Sequence, residues 1–173
     1  MSKIACVMTD LFEDVEYTSP LEELQNGGHE VVVIGFEKGK EITGKQGETT
    51  VTTDVSIADV KPNDFDALFI PGGFSPDLLR GDDRFVEFAK YFVLTDKPIL
   101  TICHGPQLLI TADVLHGRKV TGFKSIQTDL RHAGANFFDE EVVVCGNIVT
   151  SRTPDDLPAF NKTITKVLSK YTS

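Results

Sequence analysis

The stretch Ile99-Leu100-Thr101-Ile102-Cys103-His104-Gly105-Pro106-Gln107-Leu108-Leu109 decides the fold class. Four apolar or β-branched residues run into a short polar turn. The turn leads into a helical pattern opened by Pro106, whose fixed φ and missing N–H suit a first helical turn. An apolar run without alternation is the pattern of a strand buried on both faces. The same pattern recurs at Ile4–Met8, Val31–Ile34 and Ala67–Ile70, and in the pair Val142–Cys145 and Ile148–Thr150. Helical patterns lie between these runs. Glu16–Asn26 carries Leu21 and Leu24 and is stopped by Gly27-Gly28. Arg84–Thr95 places Phe85, Phe88, Ala89 and Phe92 on one face, and the helix after Pro106 carries Leu108, Leu109, Ala112 and Leu115. The last helix has Thr153 as its expected N-cap, Pro154 at the first position, and a stripe of Leu157, Phe160, Ile164 and Val167. Strands alternating with helices predict parallel pairing and right-handed crossovers, hence an α/β fold with a doubly wound, mostly parallel sheet. Glu48–Thr53, rich in Thr and Val, predicts a small antiparallel hairpin or an edge strand. A chain of 173 residues without repeat or linker predicts one domain, 1–173.

Composition narrows the function. The 17 Lys and Arg against 26 Asp and Glu leave a formal charge of −9, which argues against nucleic acid as a partner. No apolar stretch approaches the ~20 residues of a membrane span. Ile4–Met8 is too short for the core of a signal peptide, so a cytoplasmic location is expected. The three cysteines, Cys6, Cys103 and Cys145, are unpaired in number and far apart, which fits neither a disulfide framework nor a zinc site. No cofactor and no metal are expected.

In an open α/β sheet the chemistry belongs at the carboxyl ends of the strands. Cys103 falls there, at the turn of a strand-turn-helix unit laid out like a nucleophile elbow. A helix N-terminus aimed at the sulfur would bring a thiol pKa of ~8.5 down into roughly the 3.5–7.5 range. The plainer alternative is a buried cysteine acting as a small hydrophobe. Pro71-Gly72-Gly73 closes another strand, and its backbone N–H groups, with that of His104, could form an oxyanion hole; an ordinary turn is the alternative. Glu16, at the opening of the first helix, is either a dipole partner facing water or a carboxyl group beside the thiol. Ionised, it would oppose thiolate formation; protonated, it would donate a hydrogen bond and favour it. His29, His116 and His132 read as surface or capping residues, whereas His104 adjoins the thiol. Cys6 lies inside a strand and Cys145 closes an apolar run, so neither is expected to be accessible, and Cys103 is expected to be the oxidant-sensitive thiol.

These motifs together resemble the PfpI/ThiJ superfamily, in its branch of PfpI-like intracellular proteases and general stress proteins, over essentially the full length. The resemblance rests on Glu16 four residues before Pro20, on Pro71–Asp77, on Cys103–Leu109 and on Ser151-Arg152-Thr153-Pro154-Asp155-Asp156-Leu157-Pro158. It implies a flavodoxin-like sandwich, Cys103 as nucleophile, Glu16 hydrogen-bonded to it, and His104 as base. It also implies that Asp77 of a neighbouring subunit orients His104, so that the protein works as a homodimer, with larger rings such as a hexamer built from dimers. The archetypal protease has glutamate where this chain has Asp77. A class I glutamine amidotransferase shares the cysteine elbow but needs a His-x-Glu dyad after a late strand, where this chain has Ser151-Arg152-Thr153. Activities across the superfamily include peptidase, glyoxalase, deglycase, hydratase, chaperone and redox sensing. The expected function is a stress-protective thiol enzyme acting on small reactive carbonyls or carbonyl-modified proteins. An intracellular cysteine peptidase and a non-catalytic sensor or chaperone stand as alternatives.

Overall fold

Runs of apolar residues with no polar interruption end up where water is excluded on both sides, and here they form the middle of a seven-stranded sheet. The computed structural model describes residues 1–172. In chain order the elements are β1 (Lys3–Val7), α1 (Asp14–Asn26), β2 (Glu30–Gly35), β3 (Glu41–Thr43), β4 (Thr50–Thr52), β5 (Val55–Ser56), β6 (Ala67–Ile70), α2 (Ser75–Leu79) and α3 (Asp83–Leu94). They continue with β7 (Ile99–Ile102), α4 (Gln107–Thr111), β8 (Lys119–Val120), α5 (Gln127–His132), β9 (Asn136–Phe137), β10 (Val143–Cys145), β11 (Ile148–Ser151) and α6 (Leu157–Thr172). The large sheet has the order β10-β11-β7-β6-β1-β2-β5. It is parallel except for β10, which pairs antiparallel with β11.

Successive side chains of a strand point to opposite faces, and each face has its own core. Ala5, Val7, Leu68 and Ile70 pack with Phe85 and Phe92 of α3 and with Leu108 of α4. Ile4, Cys6, Phe69 and Leu100 pack with Leu24 of α1 and with Phe160, Ile164 and Leu168 of α6. The expected doubly wound architecture is therefore present. The chain leaves β1 toward β2 and later crosses back to β6 on the other side of β1. The loops after β1 and β6 thus diverge over a crevice at the switch point, and β7 ends beside it.

Local details differ from the sequence reading in three places. The helix after Pro106 stops at Thr111, because Asp113 turns into the left-handed region at φ 57°, which a right-handed helix cannot continue through. Leu115 is fully buried, but beyond that helix. Thr153 does not cap with its side chain. A 3₁₀ turn, Pro154–Asp156, precedes α6, and the Asp156 carboxylate instead accepts three bonds from Arg152, from its backbone N–H, Nε and Nη2, each at 2.9 Å. Cys145 is half-buried on the outermost strand rather than enclosed, since β10 has sheet on one side only. The Thr-rich segment is a hairpin, β3 against β4, separate from the large sheet. No helix of the described residues is long and apolar enough to cross a membrane.

Phe160 is fully buried at the centre of the α6 contact with the sheet. Phe160→Ala is expected to lower the unfolding free energy by about 3–5 kcal/mol, read as an earlier urea midpoint at unchanged slope.

Candidate active site

Cys103 stands one residue beyond β7 and has φ 62°, a left-handed backbone that a side chain normally avoids. Such a residue costs of order 1–3 kcal/mol and persists only where its surroundings hold it. They do: the Cys103 N–H donates to Ser151 O at 3.0 Å, and its carbonyl accepts the Phe123 N–H at 2.9 Å. The side chain is 7% exposed, at the floor of a cavity of about 260 Å³ that Lys45, Phe74, Phe123 and Pro154 help to wall.

Glu16 rises from the first turn of α1 and has no exposed surface. Its Oε1 accepts the Gly72 N–H at 3.0 Å, while Oε2 has no partner of ordinary hydrogen-bond geometry. The Cys103 thiol is close enough to act on this carboxyl group and to be acted on in return. Gly72 has to be glycine, because a Cβ there would press into Glu16 Oε1 and stand 2.9 Å from Cys103 Cβ. Burial, reinforced by the charge of Glu13, pushes the Glu16 pKa up to about 8, so the group is mostly protonated at neutral pH.

The thiol itself is not depressed. Burial and then the Glu16 charge push its pKa up, and the N–H groups of His104 and Gly73 pull the other way. The helix expected to lower it, α4, is only five residues long and starts at Gln107, so its dipole is small and set back from the sulfur. The expected oxyanion donors also narrow. The Gly72 N–H is committed to Glu16, which leaves Gly73 and His104 as the N–H groups directed at the Cys103 sulfur.

His104 Nδ1 lies 3.3 Å from Cys103 Sγ, and Nε2 lies 3.1 Å from Ser125 Oγ. The ring stacks on Phe123 at 4.8 Å between centroids. Burial, then the Lys45 charge, lowers its pKa, against a smaller opposing effect of Asp77. A neutral imidazole that donates Nε2–H to Ser125 presents Nδ1 as an acceptor for the thiol proton. Asp77 is exposed in the first turn of α2 and acts on His104 of its own chain through its charge alone. His29 accepts the Ser2 N–H at 3.0 Å and His116 pairs with Asp113 at 2.8 Å, both remote from this chemistry. A second cavity, of about 280 Å³, shares Phe123 in its wall but is lined by neither Cys103 nor His104. Among the described residues no group of three His, Cys, Asp or Glu side chains is placed to hold a metal ion.

Ser125, Phe123, Phe74 and Lys45 belong to the site and were not singled out from the sequence. Ser125, Phe123 and Lys45 sit in no motif. Phe74 alone carried a signal, as the residue after the glycine pair.

An α/β sandwich with a thiol at a strained elbow, an adjacent imidazole and a buried protonated carboxyl defines a class of cysteine-centred sites. The chain belongs to the DJ-1/PfpI family, whose model matches residues 2–167. It is 59% identical to general stress protein 18 of Bacillus subtilis strain 168, over 97% of this chain and 98% of that one. It is 61% identical to the protein named "Putative cysteine protease YraA" from the same strain, over 92% and 94% of the two chains. To protein/nucleic acid deglycase 2 of Escherichia coli strain K12 it is 57% identical, over 96% and 97%.

The raised Glu16 pKa has a consequence for stability. The folded protein keeps a proton that the unfolded chain releases near the ordinary carboxyl pKa of ~4.3, so folding is favoured below that value and loses stability as pH rises toward 8. Wild type is expected to lose roughly 2–4 kcal/mol relative to Glu16→Gln between pH 5 and 8, measured by urea unfolding across that range.

Proposed function

We propose that this protein is a thiol enzyme that protects against reactive carbonyl compounds, acting on small aldehydes or on the adducts they leave on proteins. The observation that carries the reading is the 3.3 Å contact of Cys103 Sγ with His104 Nδ1, beside the buried Glu16, in a cavity suited to a small molecule. In the first step Sγ bonds to the carbonyl carbon and the thiol proton passes to His104 Nδ1. The carbonyl π electrons move to oxygen, where the Gly73 and His104 N–H groups stabilise the charge until His104 returns the proton and a hemithioacetal results. On an amine adduct, Sγ bonds to the carbon that carries the nitrogen, the C–N bond breaks, and the thiol proton passes by way of His104 to the nitrogen, which leaves as the free amine. Similarity to a deglycase and to a general stress protein supports this reading.

Similarity to a relative named as a cysteine protease supports a second reading, in which the same thiol and base cleave peptide bonds. A cavity of about 260 Å³ with Phe74 and Phe123 in its walls favours the small carbonyl. The free thiols of Cys6, Cys103 and Cys145 suit the reducing cytoplasm. Cys103→Ala is expected to reduce turnover of methylglyoxal or of a glycated peptide by roughly 10³-fold or more, with casein cleaved by neither protein. Casein cleavage lost in the variant would select the peptidase, and no turnover of any of them by wild type would select a non-catalytic sensor or chaperone.

The working unit is proposed to be a homodimer, which could assemble further into a hexamer. Leu11, Phe74 and Leu78 are large, apolar and exposed on segments around the mouth of the site, with Asp77 among them. Pairing of two copies through this surface would bring Asp77 of one to the Nε2 side of His104 in the other, to share or replace Ser125. Refolded mixtures of Cys103→Ala and Asp77→Ala chains are then expected to regain roughly a quarter of wild-type activity, since about half the dimers are mixed and each has one intact site. Mixed dimers of proven composition that remain inactive would refute the shared site.

A further inference from the structure

Asp14, two residues before Glu16, is buried, charged and unused by the chemistry above. Its carboxylate accepts three backbone N–H groups from the turn between β3 and β4: Gln46 on Oδ1 at 2.8 Å, and Glu48 and Thr49 on Oδ2 at 3.1 and 2.8 Å. Burial opposes ionisation, but these donors outweigh it and hold the group below the ordinary carboxylate range. Gly44 lies so close that a Cβ on it would press into all three atoms of the carboxylate. A connecting turn needs no such clamp from a helix. What this turn carries is Lys45, whose N–H donates to Phe12 O at 2.7 Å. The Lys45 ammonium pairs with Glu13 at 3.0 Å, lies over the Phe74 ring at 5.4 Å, and forms part of the wall of the Cys103 cavity.

We propose that Asp14 is a positioning residue of the Cys103 site, clamping the β3–β4 turn so that the Lys45 ammonium stays at the mouth of the cavity. The first turn of α1 then serves the site twice, through Glu16 on Gly72 and through Asp14 on the turn that bears Lys45. Behind burial, the cation disfavours protonation of His104, and it offsets the negative charge that would develop on sulfur and oxygen. Other charged groups act on the same two residues. Glu13 sits beside Lys45 and raises Glu16, and Asp77 on α2 opposes Lys45 at His104. The catalytic meaning rests on the thiol-enzyme reading above, whereas the placement of the charge does not.

The test therefore reads charge without substrate, by NMR titration of His104 and by the pH dependence of Cys103 alkylation with iodoacetamide. Lys45→Met is expected to raise the His104 pKa by about half a pH unit or more, and Lys45→Arg to leave it near wild type. Asp14→Ala, and Gly44→Ala as a second way to displace the turn, should shift His104 in the same direction. The double variant Asp14→Ala/Lys45→Met should shift it no further than Lys45→Met alone, because Asp14 acts through Lys45. Folded Asp14→Ala and Gly44→Ala proteins that titrate like wild type, or shifts that simply add in the double variant, would overturn the proposal. An unchanged His104 in Lys45→Met would do the same. Failure of every carbonyl substrate, with these shifts present, would count against the proposed function alone.

Discussion

One buried hydrogen bond, from the Gly72 N–H to Glu16 Oε1, joins the first turn of α1 to the loop that leaves β6. It spans the switch point of the sheet, where two adjacent parallel strands send their chains in opposite directions. Glu16 is placed there without access to water and with one conventional partner, so it keeps its proton at neutral pH. The same bond consumes the Gly72 N–H and so reduces the donors left at the sulfur to those of Gly73 and His104. The need for glycine at position 72 follows from where this one carboxyl group is held, and so does part of the upward push on the thiol, behind that of burial.

Burial and the neighbouring carboxyl group disfavour a standing thiolate at Cys103. A buried thiol beside a carboxyl group is a poor acid, and a five-residue helix set back from the sulfur does little to change that. His104 Nδ1, at 3.3 Å from the sulfur, is the ring nitrogen nearest the thiol. Ser125 Oγ against the far nitrogen and Phe123 stacked on the ring hold the imidazole in its orientation. On the proposed thiol-enzyme reading, such a cysteine would rest as a thiol and become nucleophilic only as its proton moves to the imidazole.

The two faces of the sheet contribute unequally to the site. The α3 side is aromatic, with Phe85, Phe88 and Phe92 in one cluster with residues of β1 and β6. The groups around the sulfur come from segments emerging at the carboxyl edge: the Glu16 carboxyl after β1, the Gly73 N–H after β6 and Cys103 after β7, with Lys45 of the β3–β4 turn in the cavity wall. Strain at Cys103 is tolerable because Ser151 and Phe123 bind its backbone on either side, and Ser151 belongs to the neighbouring strand β11.

The strands buried on both faces, the doubly wound order and the placing of Cys103 at a strand-to-helix turn were legible in the sequence, because they depend on the period of apolar residues and on where Gly and Pro interrupt it. The hairpin at Thr50–Thr52 was legible for the same reason. The length of α4, the cap of α6 and the exposure of Cys145 were not, since each turns on one residue's dihedral angles or on its place at the edge of a sheet. Ser125, Phe123 and Lys45 could not be found from pattern, because they reach the site from segments far along the chain that only packing brings together. Above all, the sequence named the acid, the thiol and the imidazole, but a pKa is set by the water and charges around a group. Only the folded interior, by burying Glu16 and Cys103 together and leaving Lys45 at the rim, decided which of them hold their protons.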